Sequence, residues 1–267
     1  FFFFLMIRRP PGSTLVPYTT LFRSVEGGMA DRGMAVYAMN GPLARGDEML
    51  HRQMAKALRN RWSTAQMGQF ADWLREQGSQ NANMLTMAAE LKADIGDKDA
   101  ALELADAALK ISPGLIDASA QRARALYVTG KKDEAMALLQ HNIEIDQFHV
   151  TSNYWLSRIL ALEGRNADKA QDLARRALFD SNQGITEWCN LSWVLLKTGR
   201  YDLARGEANK MTRTFKGEPM PLYCLGMALY MEQKTAEAKT RLQEAIDQGL
   251  AGEALVEAKD ILSKLRS

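Results

Sequence analysis

Arg124 and Arg158 stand 34 residues apart in a chain of 267. Two guanidinium groups brought into register could fork one carboxylate or phosphate through paired N–H donors. Aromatic residues accompany them in the sequence: Tyr127 and Tyr154, then Trp193, Tyr223 and Tyr230. Arg and aromatic side chains carry most of the binding energy at protein interfaces. The residue types of catalysis make no comparable pattern. His51, His141 and His149 are scattered, without a two-histidine helix motif or a recognisable nucleophile context. Cys189 and Cys224 have no metal-ligand spacing and no Cys-x-x-Cys arrangement. Glu103, Asp106, Glu134 and Asp172 fall at helix positions where a solvated face is the ordinary reading. No phosphate loop or dinucleotide fingerprint is present. The sequence predicts a non-enzymatic chain that uses no cofactor and no metal.

The interval between the two arginines is the period of the chain. Ala101, Ala135, Ala170, Ala204 and Ala238 recur at spacings of 34, 35, 34 and 34 residues. Gly96, Gly130, Gly164 and Gly199 keep step ahead of them, and Gln233 fills the last such place. A fixed period of this length means a solenoid, in which each unit buries its apolar face only by stacking on its neighbours. The stretch from Ile185 to Thr214 shows the unit most clearly. Trp188, Leu191, Ser192 and Leu195 fall on one face of an amphipathic helix. Gly199 follows at a turn, where glycine supplies a left-handed conformation after a helix end. Ala204, Ala208 and Met211 then line a second helix, and the turn is short enough to force an antiparallel pair. Cys189 and Cys224 lie in the first helix of successive units, offset by one position, so free buried thiols are expected rather than a disulfide.

This pattern resembles the tetratricopeptide (TPR) family. The unit from Ile185 supplies Trp188, Leu191, Ser192, Leu195, Gly199 and Ala204, and the unit from Pro219 supplies Leu222, Leu225, Gly226, Leu229, Ala238, Leu242 and Ala245. The unit from Ala82 adds Leu85, Ala88, Ala89, Gly96, Ala101, Ala105, Ala108 and the exit proline Pro113. The unit from Ile116 departs from the pattern at Asn142 and Gln147, and the unit from Val150 carries one extra residue in its turn. The resemblance implies an all-α fold, a right-handed superhelical solenoid of antiparallel helix pairs. About five to six repeats plus a C-terminal cap helix are expected, over residues 48–267. The expected units are 82–115, 116–149, 150–184, 185–218 and 219–252, preceded by a degenerate one at 48–81. That first unit would place Met54, Ala55 and Leu58 in one helix and Phe70, Ala71 and Leu74 in the next, with Trp62 at the turn. The cap at 253–266 would bury Leu255, Ala258, Leu262 and Leu265 and present Glu257, Lys259, Asp260 and Lys264 to water.

Residues 1–24 share none of this. They are Phe-rich, hold Pro10, Pro11 and Pro17, and contain no acidic residue. The apolar run precedes Arg8 and Arg9, the reverse of a signal peptide, and is too short to span a membrane. The stretch resembles the conceptual translation of a sequencing adapter, departing from it at Gly12 and Val16. It is expected to be non-native and disordered, with the natural N-terminus missing. Residues 25–47, rich in glycine, then read as a linker or the remnant of an upstream domain. The formal charge is +2, from 34 basic and 32 acidic residues. Without Arg8, Arg9 and Arg23 the balance is 31 to 32, a net charge of −1, so no general attraction to nucleic acid or an anionic membrane follows.

In a TPR array the first helix of each pair lines the inner wall. The resemblance therefore assigns Arg124, Tyr127, Tyr154, Arg158, Trp193, Lys197, Tyr223, Met227 and Tyr230 to a peptide-binding groove. Plainer alternatives stand beside this: an ion pair of Arg124 with Glu90, inter-helix packing for Trp193, Tyr223 and Tyr230, and core filling for Met227. The TPR subclass that holds chaperone C-terminal carboxylates uses Lys and Asn at fixed inner positions. Thr86 and Glu90, or Ala120 and Arg124, stand there instead, so Hsp70 or Hsp90 binding is not implied. The leading expectation is an interaction module or scaffold for a protein or peptide partner, with no nucleic-acid partner and no membrane segment. The alternatives are the C-terminal docking array of a larger enzyme and, behind it, an RNA-binding helical repeat. The compartment is not legible. One consequence is independent of function: Ala204→Leu overpacks a helix crossing and costs about 1–3 kcal/mol, read as a lowered melting temperature.

Overall fold

The structure is a computed structural model that describes residues 63–181 and 183–265. Twelve helices and no strand are found among the described residues. They are α1 (Thr64–Gln77), α2 (Ala82–Asp94), α3 (Lys98–Ile111), α4 (Ile116–Val128), α5 (Lys132–Ile145) and α6 (Val150–Leu162). There follow α7 (Ala167–Asp180), α8 (Ile185–Lys197), α9 (Tyr201–Thr214), α10 (Pro219–Met231), α11 (Thr235–Asp247) and α12 (Gly252–Lys264). The chain divides into two compact units, one ending at Ala125 and the other beginning at Leu126. The expectations for residues 1–62, including the helix bearing Met54, Ala55 and Leu58, lie outside the described residues.

In the first unit, Ser63 and Gln66 form a reciprocal capping box that starts α1. Phe70, Ala71 and Leu74 of α1 are fully buried with Met84, Ala88 and Leu91 of α2 and Ala105 and Ala108 of α3. Phe70 stacks on Trp73 with ring centroids 5.8 Å apart. Lys92 crosses from α2 to Asp72 of α1 at 2.9 Å, and Asn81 caps α2 through the N–H groups of Asn83 and Met84. Full burial of an alanine face on α3 lets that helix lie close to α2.

The second unit repeats one construction. Ala135, Ala170, Ala204 and Ala238 are all fully buried near the start of α5, α7, α9 and α11. Each preceding helix ends in the same hydrogen bond, six residues closing back to one. Lys131 N–H donates to Leu126 O at 2.9 Å, Arg165 to Leu160 at 2.9 Å, Arg200 to Leu195 at 2.8 Å and Lys234 to Leu229 at 2.9 Å. This Schellman closure needs a left-handed residue just before the donor. Gly130 (φ 91°), Gly164 (φ 62°) and Gly199 (φ 75°) meet that need without strain, and Gln233 (φ 63°) meets it with a side chain. The extra residue after Gly164 is absorbed by a second left-handed residue, Asn166 (φ 43°), whose side chain caps α7 through Lys169 N–H.

Two departures from the repeat pattern have local causes. Asn142, buried where alanine was expected, donates to Ser152 Oγ at 3.2 Å, and Ser152 Oγ lies 2.8 Å from His149 Nδ1. Ser152 N–H also donates to that Nδ1 at 3.2 Å, so the histidine caps α6. Near the end of the unit, a Cβ at Gly226 would stand 2.7 Å from Leu242 Cγ, so α10 and α11 meet over bare backbone. The closing helix begins one residue earlier than the sequence suggested and buries Ala258, Ile261 and Leu262 against Leu242, Ala245 and Leu250. Leu255 and Leu265 are only half-buried, and Ile261 takes the core place between them. Exposed ion pairs such as Arg165–Asp133 (3.1 Å) link successive turns and contribute at most about 1 kcal/mol each. No helix of the described residues is long and apolar enough to cross a membrane.

The turn at Gln233 stores backbone strain that glycine relieves elsewhere. Gln233→Gly is expected to raise stability by up to about 1 kcal/mol, measured by chemical denaturation. Gly199→Ala should lower it.

Candidate functional site

Successive first helices of the pairs adjoin in the second unit, α6 against α8 and α8 against α10. Residues four apart on α6 and α8 therefore come together on one face. Arg158 of α6 lays its guanidinium over the Trp193 ring of α8, 4.1 Å from the centroid. Tyr154 and Trp155 stand 5.7 and 5.9 Å from the same guanidinium and meet each other edge-to-face at 5.3 Å. Lys197 Nζ approaches Trp193 to 5.5 Å. One indole thus carries two cations, each at a distance where the ring quadrupole attracts positive charge.

A buried polar chain fixes this arrangement. Ser157 Oγ donates to the Tyr154 carbonyl at 2.7 Å, and Asn190 Nδ2 donates to Ser157 Oγ at 3.1 Å. With its amide nitrogen so used, Asn190 presents Oδ1 to Arg158 Nη1 at 3.4 Å. Asn190 is 1 % exposed and Ser157 fully buried, so neither can swing away to water. Neither Asn190 nor Trp155 stands out in the sequence, because their role depends on contacts between neighbouring helix pairs.

The remaining expected wall residues are engaged in different ways. Arg124, in the first unit, pairs with Asp94 Oδ1 at 2.8 Å and reaches the Glu90 backbone carbonyl at 3.5 Å. Its charge is therefore met from within the fold. Tyr127 donates its hydroxyl to Glu163 Oε1 at 2.8 Å, and Lys132 Nζ pairs with the same carboxylate at 2.9 Å. Burial and that hydrogen bond push the Tyr127 phenol up from 10.0 to about 12, while Lys132 and Tyr127 hold the Glu163 carboxyl below its usual range. Tyr223 donates to Glu257 of α12, and burial followed by this bond pushes its phenol well up. Glu257 was expected to face only water. Met227 and Tyr230 are half-buried against the α11 and α12 core, as the packing alternative for them required. Tyr154, Arg158, Trp193 and Lys197 are the wall residues that the fold gathers into a single cluster.

Cys189 and Cys224 are free thiols. Both belong to one apolar cluster across α8 and α10 despite the one-position offset, and the hydrogen bond that the Cys189 thiol gives to Cys224, together with burial, pushes the Cys189 thiol up. Among the described residues no group of three or more His, Cys, Asp or Glu could hold a metal ion.

Solved structures of similar shape are repeat proteins. A tetratricopeptide repeat protein from Parabacteroides merdae superposes with a TM-score of 0.62 at 13 % identity, covering 93 % of this chain and 97 % of that one. The fold is that of a tetratricopeptide array. A thermophilic TPR protein of Thermus thermophilus gives a TM-score of 0.58 at 17 % identity, over 68 % of this chain and 98 % of that one. Yeast Tom70 gives 0.60 at 15 % identity, and the match spans 92 % of this chain but 54 % of Tom70. No family model matches the chain, and no curated protein matches it in sequence. At these identities the likeness shows the fold of the TPR array and nothing of its ligand.

The Tyr127 phenol gives a pH signature. Its folded pKa lies above the unfolded value, so its contribution to stability is present below pH 10 and is lost as pH rises from 10.0 to about 12. Denaturant midpoints of the wild-type chain should fall more steeply across that window than those of Tyr127→Phe.

Proposed function

We propose that the protein is an interaction module that holds an extended or helical peptide segment along the face running from Tyr127 to Tyr230. The carrying observation is the cluster of Arg158, Trp193, Tyr154 and Lys197, held in place from beneath by Asn190. Trp and Arg are the side chains most often found as binding hot spots, and they act best when packed in place before the partner arrives. Trp193, Tyr154 and Arg158 are half-buried, so each keeps surface for a ligand while its orientation is set. Tyr127 and Tyr223 contribute through already-committed polar groups, which leaves shape and apolar surface as their share. A TPR array suits such work because its stacked first helices present a continuous surface whose side chains repeat at fixed intervals.

A protein partner recovered by affinity capture and titrated by calorimetry tests the reading. Trp193→Ala is expected to weaken binding by about 2 kcal/mol, roughly thirtyfold, as is Arg158→Ala. Unchanged affinity in both variants, with unaltered melting curves, would place the partner on another surface.

A further inference from the structure

We infer that the segment bound between α6 and α8 is acidic: an Asp or Glu side chain, flanked by an apolar residue, seated on Arg158 and Lys197. This deepens the peptide-binding reading and rests on it. The ion-pair pattern of the second unit points to it. Lys132, Arg165, Arg200, Arg205, Lys234 and Arg241 each have a carboxylate within 4.0 Å. Among the described residues, neither Arg158 nor Lys197 has one. Other unpaired cations, such as Arg175 and Arg213, are exposed and solvated, whereas Arg158 is half-buried among three aromatic rings. A cation so placed has given up water without gaining an acid.

The unused donors of the guanidinium fit that missing partner. Arg158 lies 4.1 Å from the Trp193 centroid, and its one hydrogen bond, to Asn190, uses a single N–H of five. The other N–H groups lie in the plane of the fork, the geometry that receives a carboxylate through two parallel bonds. Lys197, against the same indole, adds a second positive charge that an incoming carboxylate offsets. The exposed parts of Tyr154, Trp155 and Trp193 then receive an apolar neighbour of the acid. RNA fits less well, since a phosphate chain needs a tract of cations and the chain beyond residue 24 carries a net charge of −1.

Selection from a random short-peptide display library on the full chain tests the inference. Peptides enriched on the wild type, relative to Trp193→Ala, are expected to carry Asp or Glu next to an aliphatic or aromatic residue. Replacing that acid by its amide should weaken binding to the wild type about tenfold, and should change nothing for an Arg158→Gln, Lys197→Gln double variant. Enriched peptides without an acidic bias, or equal affinity for acid and amide forms, overturn the acidic assignment and leave the peptide face standing. Enrichment that is indifferent to Trp193→Ala, or none above bare matrix, rejects the peptide face itself. A single-stranded RNA oligomer that binds more tightly than the best peptide, and only through Arg158, overturns the choice of ligand class. If the double variant melts early, Arg158→Lys serves instead, since it keeps the charge and removes the fork.

Discussion

The spacing of the helices in the second unit depends on what is absent from a handful of positions. Ala135, Ala170, Ala204 and Ala238 are fully buried at helix crossings, and Gly226 leaves no room even for a Cβ against Leu242. Two helices meet at a distance set by the side chains between them. With one methyl group or none at the crossing, that distance is short, and the rest of each pair is bound to follow. The turn between paired helices must close within a few residues, which the left-handed residues at Gly130, Gly164, Gly199 and Gln233 achieve. Because the crossings are alike, the first helices of successive pairs adjoin at like intervals, and residues such as Arg158 and Trp193 can touch.

The parts of this scheme that come from local physics were legible in the sequence. The recurring alanine and glycine each do one job within their own unit, crossing and closure, so their period survived as a readable pattern. The apolar face of α1, with Phe70, Ala71 and Leu74, was legible for the same reason. Polar residues whose partners lie in the next unit were not. Asn190 reads as an ordinary polar helix residue until Ser157 and Arg158 are beside it, 33 and 32 positions away. Glu257 reads as a solvated carboxylate until Tyr223 is found against it. The residues expected to line the wall are in different states: Arg124 pairs with Asp94, Met227 and Tyr230 are half-buried against neighbouring helices, and Arg158 lies against aromatic rings with no carboxylate beside it. Sequence period says which direction a residue faces; it does not say whether a neighbour has already answered its chemistry.

The buried polar residues also differ in what they do for the array. Trp188 donates its indole N–H to Glu207 at 2.9 Å while its ring packs edge-on to Phe215, so one pair, α8 and α9, is locked internally. Asn142 with Ser152 and His149 locks α5 to the start of α6. Asn190 with Ser157 locks α6 to α8, one unit to the next. Buried hydrogen bonds of this kind add less to net stability than to the cost of any alternative register, because a slipped helix would leave each partner unsatisfied.

Trp193 has a further property that follows from its two cations. The electronic transitions of an indole respond to the electric field across the ring, and the Arg158 and Lys197 charges impose one at 4.1 and 5.5 Å. Trp188, by contrast, gives its indole N–H to the Glu207 carboxylate. Any anion that settled there would cancel part of that field and shift the colour of the emitted light. The chain therefore carries its own optical reporter, built into the face it would report on and needing no attached dye.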